Sequence, residues 1–371
     1  MKLGEALSFR NGKTSPDRSE GGMYQVHGSN GVIGYCNQSN APAGATVIGR
    51  VGSYCGNVHF LQSDSWVTDN AIFAFPKADQ DPRYWYFVLC HLKLGKLRHG
   101  SGQPLLNQEI LSGVDFDPQT LSEQRRIAGV LGALDDKIES NCAQQRIGEQ
   151  LLRAVIEGIL GQFSEADFIS FDAYCTQSKE SVRPENIGNG DKYIALEHMP
   201  RGSVFLNSWE TAKLAGIASN KTRFRHGDLL FGKLRPYFKK VGVAPVSGVC
   251  STDILVIRPR LPEFLPFIAV IASSDALIDS ISASATGTRM PRASWKEIAT
   301  WSGPQSPDET LTVLLHPANQ LMAFLETLSL QNLKLAQLRD ALLPELMSGR
   351  MRVDEAGCLV SEALDEEVAD V

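Results

Sequence analysis

The sequence predicts an α+β protein built twice, with two globular halves of mixed strands and helices, each followed by a long helix. Two observations carry this. The first is an internal repeat: Glu109-Ile110 returns as Glu297-Ile298, and residues 155–161, ending in Gly161, return as 343–349, ending in Gly349, both at a shift of 188 positions. Upstream, Thr68-Asp69 returns as Thr252-Asp253 at a shift of 184, so a loop changes length inside the repeated unit. The second is the order of periods, with short strand-like runs bounded by turn residues giving way to long stretches of helical spacing in each half. A chain of this design is suited to reading two similar things at a fixed separation.

The elements follow in order. Residues 24–27, the turn Gly28-Ser29-Asn30-Gly31 and residues 32–35 predict a hairpin around an Asn-Gly turn. Residues 45–51 and 66–75 read as further strands and 82–97 as a helix carrying Tyr84, Trp85 and Phe87, followed by a loop at 100–104. Thr120-Leu121-Ser122-Glu123, just after Pro118, is a capping box that opens a helix over 119–161. Its seam runs Ile127, Leu131, Leu134, Ile138, Asn141, Gln145, Gly148, Leu152, Val155 and Ile159, with apolar ends around a polar middle. Such a seam predicts a coiled-coil partner in a fixed register, on a rod of roughly 60 Å at 1.5 Å per residue. The second half is predicted to hold strands within 192–206 and 228–257, a helix near 263–281 and a loop at 285–291. A capping box at Ser306-Pro307-Asp308-Glu309 follows, then a break at His316-Pro317 and a main helix over about 318–347, with Leu321, Leu325, Leu328, Leu335, Leu338 and Leu342 on one side.

With 371 residues the chain has room for two cores. No apolar run reaches membrane-spanning length, the first residues lack a signal-peptide core, and the seven scattered cysteines show no metal or disulfide spacing, so cytoplasm and free thiols are expected. The net charge of −6 hides an uneven distribution. Residues after Val353 contribute −7, which leaves +1 for 1–353, and this acidic tail is expected to be disordered. Residues 221–260 hold nine Lys and Arg against two Asp, a surface fit to face phosphates.

Enzymatic signatures are missing. There is no Asn/Asp-Pro-Pro-aromatic motif of an amino-methyltransferase with its glycine-rich cofactor loop, no phosphate-cradling loop, no HExxH and no GxSxG. The seven histidines form no ligand pair, and no metal is expected. What remains are polar and basic loop residues of the kinds that touch DNA. The second half offers Lys221, Arg223, Lys233, Arg235, Tyr237, Lys239, Lys240, Arg289 and Arg292; the first offers Arg50, Ser53, Tyr54 and Asn57 in the aligned position, with Lys96, Arg98, Ser101 and Gln103. Arginine pairs bidentately with guanine, Asn and Gln with adenine, and lysine holds phosphates. Loops 50–57, 96–103, 221–240 and 288–292 are therefore expected to face the major groove. Two other classes are weighed: a non-catalytic coiled-coil scaffold that holds protein partners without touching DNA, and an enzyme, for which no acid–base or metal cluster is visible.

With those residues in view, the chain resembles the specificity subunit of type I restriction-modification systems. The resemblance lies in Lys2-Leu3-Gly4-Glu5 with residues 24–35, in 100–111, in Glu123-Gln124-Arg125-Arg126-Ile127-Ala128 with Leu134-Asp135-Asp136-Lys137-Ile138-Glu139, and in residues 338–344 with Ser348-Gly349. It implies two target-recognition domains, 1–117 and 162–304, separated by two antiparallel spacer helices, 118–161 and 305–350, with 351–371 as the acidic tail. It implies a chain that is not itself an enzyme and that reads a bipartite, asymmetric site in double-stranded DNA. The partners it implies are methyltransferase subunits, two of them expected, and a restriction/translocase subunit. S-adenosylmethionine, ATP and magnesium are then expected on those partners, and no cofactor on this chain. One departure stands out: Asp308-Glu309-Thr310 and Pro317 replace the Glu-Gln-Arg-Arg-Ile pattern at the start of the second helix.

Overall fold

A computed structural model describes residues 1–77, 80–97, 105–163, 168–284, 292–304 and 309–369. Residue contacts divide the chain into two compact units, 1–136 with 335–371, and 137–334. The division cuts through both long helices, where the sequence placed the domain edges at their ends.

The first unit begins with α1 (Leu3–Ala6), β1 (Leu7–Asn11) and the hairpin β2 (Tyr24–Gly28) and β3 (Gly31–Cys36), turning at Ser29-Asn30 as expected. Then come β4 (Thr46–Gly49), β5 (Val58–Phe60), β6 (Ser65–Val67) and β7 (Ala71–Pro76), followed by α2 (Pro82–His91), α3 (Gln108–Ser112) and the start of α4 (Leu121–Leu160). The strands form one sheet in the order β1-β7-β4-β5 and a second in the order β3-β2-β6, whose β2–β6 pair is parallel. The single strand expected over 66–75 is split in two. Thr68-Asp69-Asn70 turns the chain, and the Ala71 amide donates to the Thr68 carbonyl at 3.0 Å. Helix α2 starts where Asp81 accepts from the Arg83 and Tyr84 amides, with Pro82 in its first turn. It ends earlier than expected, because Lys93 takes φ +48° and a short 3₁₀ turn (Leu94–Leu97) follows. The Arg83 side chain reaches α4, pairing with Asp136 at 2.7 Å and donating to the Gly132 carbonyl at 3.0 Å.

The second unit repeats the plan with additions. Its strands are β8 (Phe168–Ser170), β9 (Cys175–Ser178), β10 (Ser181–Val182), β11 (Lys192–Ile194), β12 (Glu210–Thr211), β13 (Lys221–Phe224), β14 (Leu229–Gly232), β15 (Val241–Val243), β16 (Gly248–Cys250), β17 (Ile254–Pro259) and β18 (Ser302–Pro304). Its helices are α5 (Ala212–Ala215), α6 (Leu265–Ala272), α7 (Asp275–Ser284), α8 (Trp295–Ala299), α9 (Glu309–Leu314) and the first part of α10 (His316–Met347). The order β15-β14-β17-β9 is that of β5-β4-β7-β1, and β11–β16 is again a parallel pair. The helix expected near 263–281 is two helices broken at Ser273-Ser274, both set in a core that includes Phe171, Tyr174, Phe264 and Phe267. No single helix among the described residues is long and apolar enough to cross a membrane.

Hydrogen bonds fix the repeat more finely than residue identity did. Gly49 N donates to Asn57 O, and Gly232 N to Lys240 O; Arg50 N donates to Asn70 O, and Lys233 N to Asp253 O. The shift is therefore 183, and Asn70, not Asp69, corresponds to Asp253. Downstream, Asn107 caps α3 through the Ile110 amide and Ser294 caps α8 through the Glu297 amide, a shift of 187. Both shifts are one shorter than the residue matches suggested, but the change of four is kept. It falls between Asp253 and Arg292 in the second unit.

The polar seam of α4 is realised. In the second unit Gln145 donates to the Leu325 carbonyl at 3.1 Å and to Ser329, and Asn141 donates to Gln331 at 3.4 Å. These pairs advance on α4 as they recede on α10, so the helices are antiparallel. A Cβ on Gly148 would come within 2.4 Å of Leu325 Cδ2, which explains a glycine at a seam position. In the first unit Asp135 pairs with Arg339 at 2.8 Å. Helix α10 starts at His316 with Pro317 in its first turn, where a missing N–H costs nothing.

The tail is corrected. Residues 351–371, expected as a disordered acidic segment, contain helix α11 (Val353–Ala369). Val353, Ala356 and Val360 recur at helical spacing and are buried, and Asp354 pairs with Arg126 of α4. Acidic composition masked this stripe, and Asp354 and Glu355 in the first turn favour the helix.

Candidate nucleic-acid interface

Each unit ends its four-stranded sheet in the same loop. In the first, residues 50–57 leave β4 and return into β5, with the Arg50 carbonyl accepting from Leu106 N at 3.0 Å and from Cys55 Sγ at 3.3 Å. In the second, residues 233–240 leave β14 and return into β15, and the Lys233 carbonyl accepts from Ala293 N at 2.9 Å. The bridges Val51–Leu105 and Leu234–Arg292 are also equivalent.

The two loops share backbone conformation as well. Gly52 (φ +74°) and Gly56 (φ +93°) are left-handed in the first, and their counterparts Arg235 (φ +51°) and Lys239 (φ +49°) are left-handed in the second. Glycine takes this conformation freely; arginine and lysine do so against their chirality. Between these positions stand Tyr54 and Tyr237, 49% and 51% exposed. The glycine at 56 is also needed sterically, since a Cβ there would lie 2.3 Å from Gly95 N. That close approach brings Lys96, exposed, beside the 50–57 loop.

The candidate residues of the first unit converge with parts of the hairpin turn. Asn57 donates to Asn30 at 3.2 Å and Ser29 to the Asn70 carbonyl at 2.6 Å, so Ser29, Asn30 and Asn70 join Ser53, Tyr54 and Asn57 on one rim. The hairpin turn was legible as a turn, yet nothing in its spacing marked it as part of a site. Arg50 is half-buried. Arg98, Ser101, Gln103 and Arg289 lie outside the described residues.

In the second unit the nine-residue charge run separates into distinct roles. Lys221 is corrected: it is 8% exposed, with its ammonium donating to Ser219 O at 3.0 Å and Oγ at 2.8 Å, so it does not face phosphates. Arg258 is bound to the buried Asp228. Arg223 lies 3.5 Å from Glu180, Lys233 donates to the Thr252 carbonyl at 2.5 Å, and Arg292 pairs with Asp253 at 2.5 Å. Lys239 pairs with Asp275, and Lys240 donates to the Leu196 carbonyl. Burial and the neighbouring Arg201 hold the Lys240 ammonium below its ordinary pKa. Arg235 is exposed and forms no ion pair among the described residues; its guanidinium lies 6.0 Å from the Phe238 ring. Arg201, which sequence reasoning missed because it lies outside the charge run, stacks over the same ring at 4.1 Å.

Two histidines underlie the first-unit rim. His27 is buried in β2, and burial, with His59 adding to it, lowers its pKa to about 4; burial also lowers His59. An unfolded histidine titrates near 6.5, so between about 6.5 and 4 the unfolded chain binds more protons and stability falls as pH falls. Thermal melting from pH 7.5 to 5 should show this loss. His27→Gln should flatten the profile, and an unchanged slope in that variant would exclude His27 as its source.

Residues 1–147 match the family model for the type I restriction modification DNA specificity domain. Over 139 residues the chain is 24% identical to the specificity subunit of the type I restriction enzyme EcoDI of Escherichia coli, covering 38% of this chain and 31% of that protein. Over 153 residues it is 24% identical to the EcoprrI specificity subunit of the same organism, covering 39% and 38%. The match thus spans only about a third of the length of these curated relatives. A crystal structure of the type I restriction-modification S subunit from M. genitalium shares the fold, with a TM-score of 0.54 at 15% identity over 93% of this chain and 95% of that one. Residues 1–147 thus resemble the type I DNA specificity domain, and over the whole chain the likeness to the solved structure is one of fold.

Proposed function

We propose that this chain reads a bipartite, asymmetric DNA sequence for a type I restriction-modification complex, one half-site per unit. The observation that supports it most is the duplicated loop, held by equivalent hydrogen bonds at Arg50 and Lys233 and bearing an exposed tyrosine in each copy. Two copies with one backbone and different side chains suit two half-sites of different sequence. Asn57 is replaced by Lys240, Gly52 by Arg235 and Gly56 by Lys239. The first loop then offers amides and hydroxyls to base edges, the second the guanidinium of Arg235 beside the Tyr237 hydroxyl.

In this reading the chain carries no catalytic group. Adenine methylation belongs to methyltransferase subunits that dock on it, into whose pockets the target base is flipped, and a restriction/translocase subunit completes the complex. S-adenosylmethionine, ATP and magnesium reside on those partners. In this reading the spacer between half-sites is of one length. One base pair more or less would turn the second half-site by about 35° around the duplex, given about 10–10.5 base pairs per turn.

The test is co-expression with the methyltransferase subunit and mapping of methylated adenines in the host DNA. A two-part motif with an invariant spacer is the expected result. An assembled complex that methylates nothing, or follows one continuous motif, overturns the reading and favours a protein scaffold.

A further inference from the structure

We propose that the second unit carries a phosphate track beside its recognition loop, in a cleft of about 430 Å³ between α4 and residues 200–207, and that it holds the DNA backbone without reading sequence. Three arginines line it: Arg146 and Arg153 from α4 and Arg201 from the facing loop. Gln150 and Asn207, both exposed, add further donors. Its one carboxylate, Glu149, is spent within the protein, accepting from the Val204 amide at 3.1 Å and from Arg153 at 3.0 Å. Arg146 and Arg201 are exposed and form no ion pair among the described residues. The cleft therefore presents an uncompensated positive charge.

Its position ties it to DNA. Arg201 lies 4.1 Å from the Phe238 ring, and Arg235 of the recognition loop lies 6.0 Å from that same ring. A neighbouring cleft that shares Arg153 and Gly202 is lined by Lys239. That cleft also holds Glu157 and Asp275, and Asp275 pairs with Lys239, so the cations without an ion pair among the described residues that link the loop to the face of α4 are Arg235, Arg201 and Arg146. A protein partner would be expected to find an apolar anchor at the centre of such a surface. Here the exposed apolar pair of this helix, Ile147 and Leu151, is absent from the lining of the cleft.

The proposal rests on the DNA-reading function above, and its test separates the two. Full-length chain is titrated with duplexes containing the mapped target, matched or altered in the second half-site, across a salt series. Each phosphate contact contributes a log–log salt slope near −0.9. Arg146→Gln with Arg201→Gln should make the slope shallower by about 1.8, two contacts at about 0.9 each. Affinity for matched and altered duplexes should fall by the same factor, about tenfold, leaving their ratio unchanged. Arg146→Lys with Arg201→Lys should restore the slope, and Arg146→Gln alone should take half of it should the double variant melt early. An unchanged slope in the Gln variants, while Arg235→Gly loses the second half-site, overturns the track and leaves the DNA reading standing. Unchanged DNA binding with lost retention of the methyltransferase subunit assigns the cleft to that partner and likewise overturns the proposal. A wild-type chain with neither salt dependence nor sequence preference overturns both.

Discussion

Arg235→Gly should melt no lower than the wild-type chain and yet lose about 10- to 100-fold in affinity for DNA carrying the second half-site, the loss expected of one specific arginine contact worth about 1–3 kcal/mol. The two effects are separable because they have different origins. A left-handed arginine (φ +51°) bears about 1–2 kcal/mol of strain that glycine does not. Glycine's larger unfolded-state entropy takes back about 0.5–1 kcal/mol, so the folded chain should be unchanged or up to about 1.5 kcal/mol more stable. The equivalent Gly52 shows that the loop backbone is compatible with glycine there. Strain kept at an exposed, unpaired cation is the pattern of a functional site. Thermal melting paired with binding to half-site variants checks it. A lowered melting temperature with intact DNA preference would make Arg235 a loop-holding residue.

Much of this was legible in the sequence where a local rule and a long-range one agreed. The Asn-Gly turn at 30–31 needed only hairpin chemistry, and the polar seam at Asn141 and Gln145 needed only helical spacing. Register was less legible. Identity of Glu109 with Glu297 pointed one residue away from the true correspondence, because the position is fixed by caps, Asn107 and Ser294, of different residue type. Helix α11 was hidden because its buried stripe is made of small residues, Val353, Ala356 and Val360, among carboxylates. The site was legible as a set of loops, since Arg50, Tyr54, Lys233 and Tyr237 do occupy equivalent places. It was not legible as a set of free charges. Whether a lysine faces solvent or a carbonyl depends on turns set elsewhere in the chain, as at Leu196 for Lys240 and Thr252 for Lys233.

Asp228→Ala should cost about 3–5 kcal/mol, the loss expected when one member of a buried ion pair is removed. Asp228 is 1% exposed and accepts from Arg258 at 2.7 and 2.6 Å and from the Arg225 amide at 2.8 Å. Its removal leaves the guanidinium and the turn amide without their acceptor, between β13 and β14, at the base of the strand that launches the recognition loop. Peptide-resolved hydrogen exchange should show faster opening across the second unit with the core of the first unit protected as before. Arg258→Gln should destabilise in the same sense, stranding the buried carboxylate, and should leave the salt slope of DNA binding at its wild-type value. Arg258 and Arg235 belong to one run of basic residues and differ in what faces them. The first should therefore report on folding and the second on DNA. A normally melting Arg258→Gln variant whose salt slope is shallower by about one phosphate contact would return Arg258 to the DNA-facing set and remove the basis for this division.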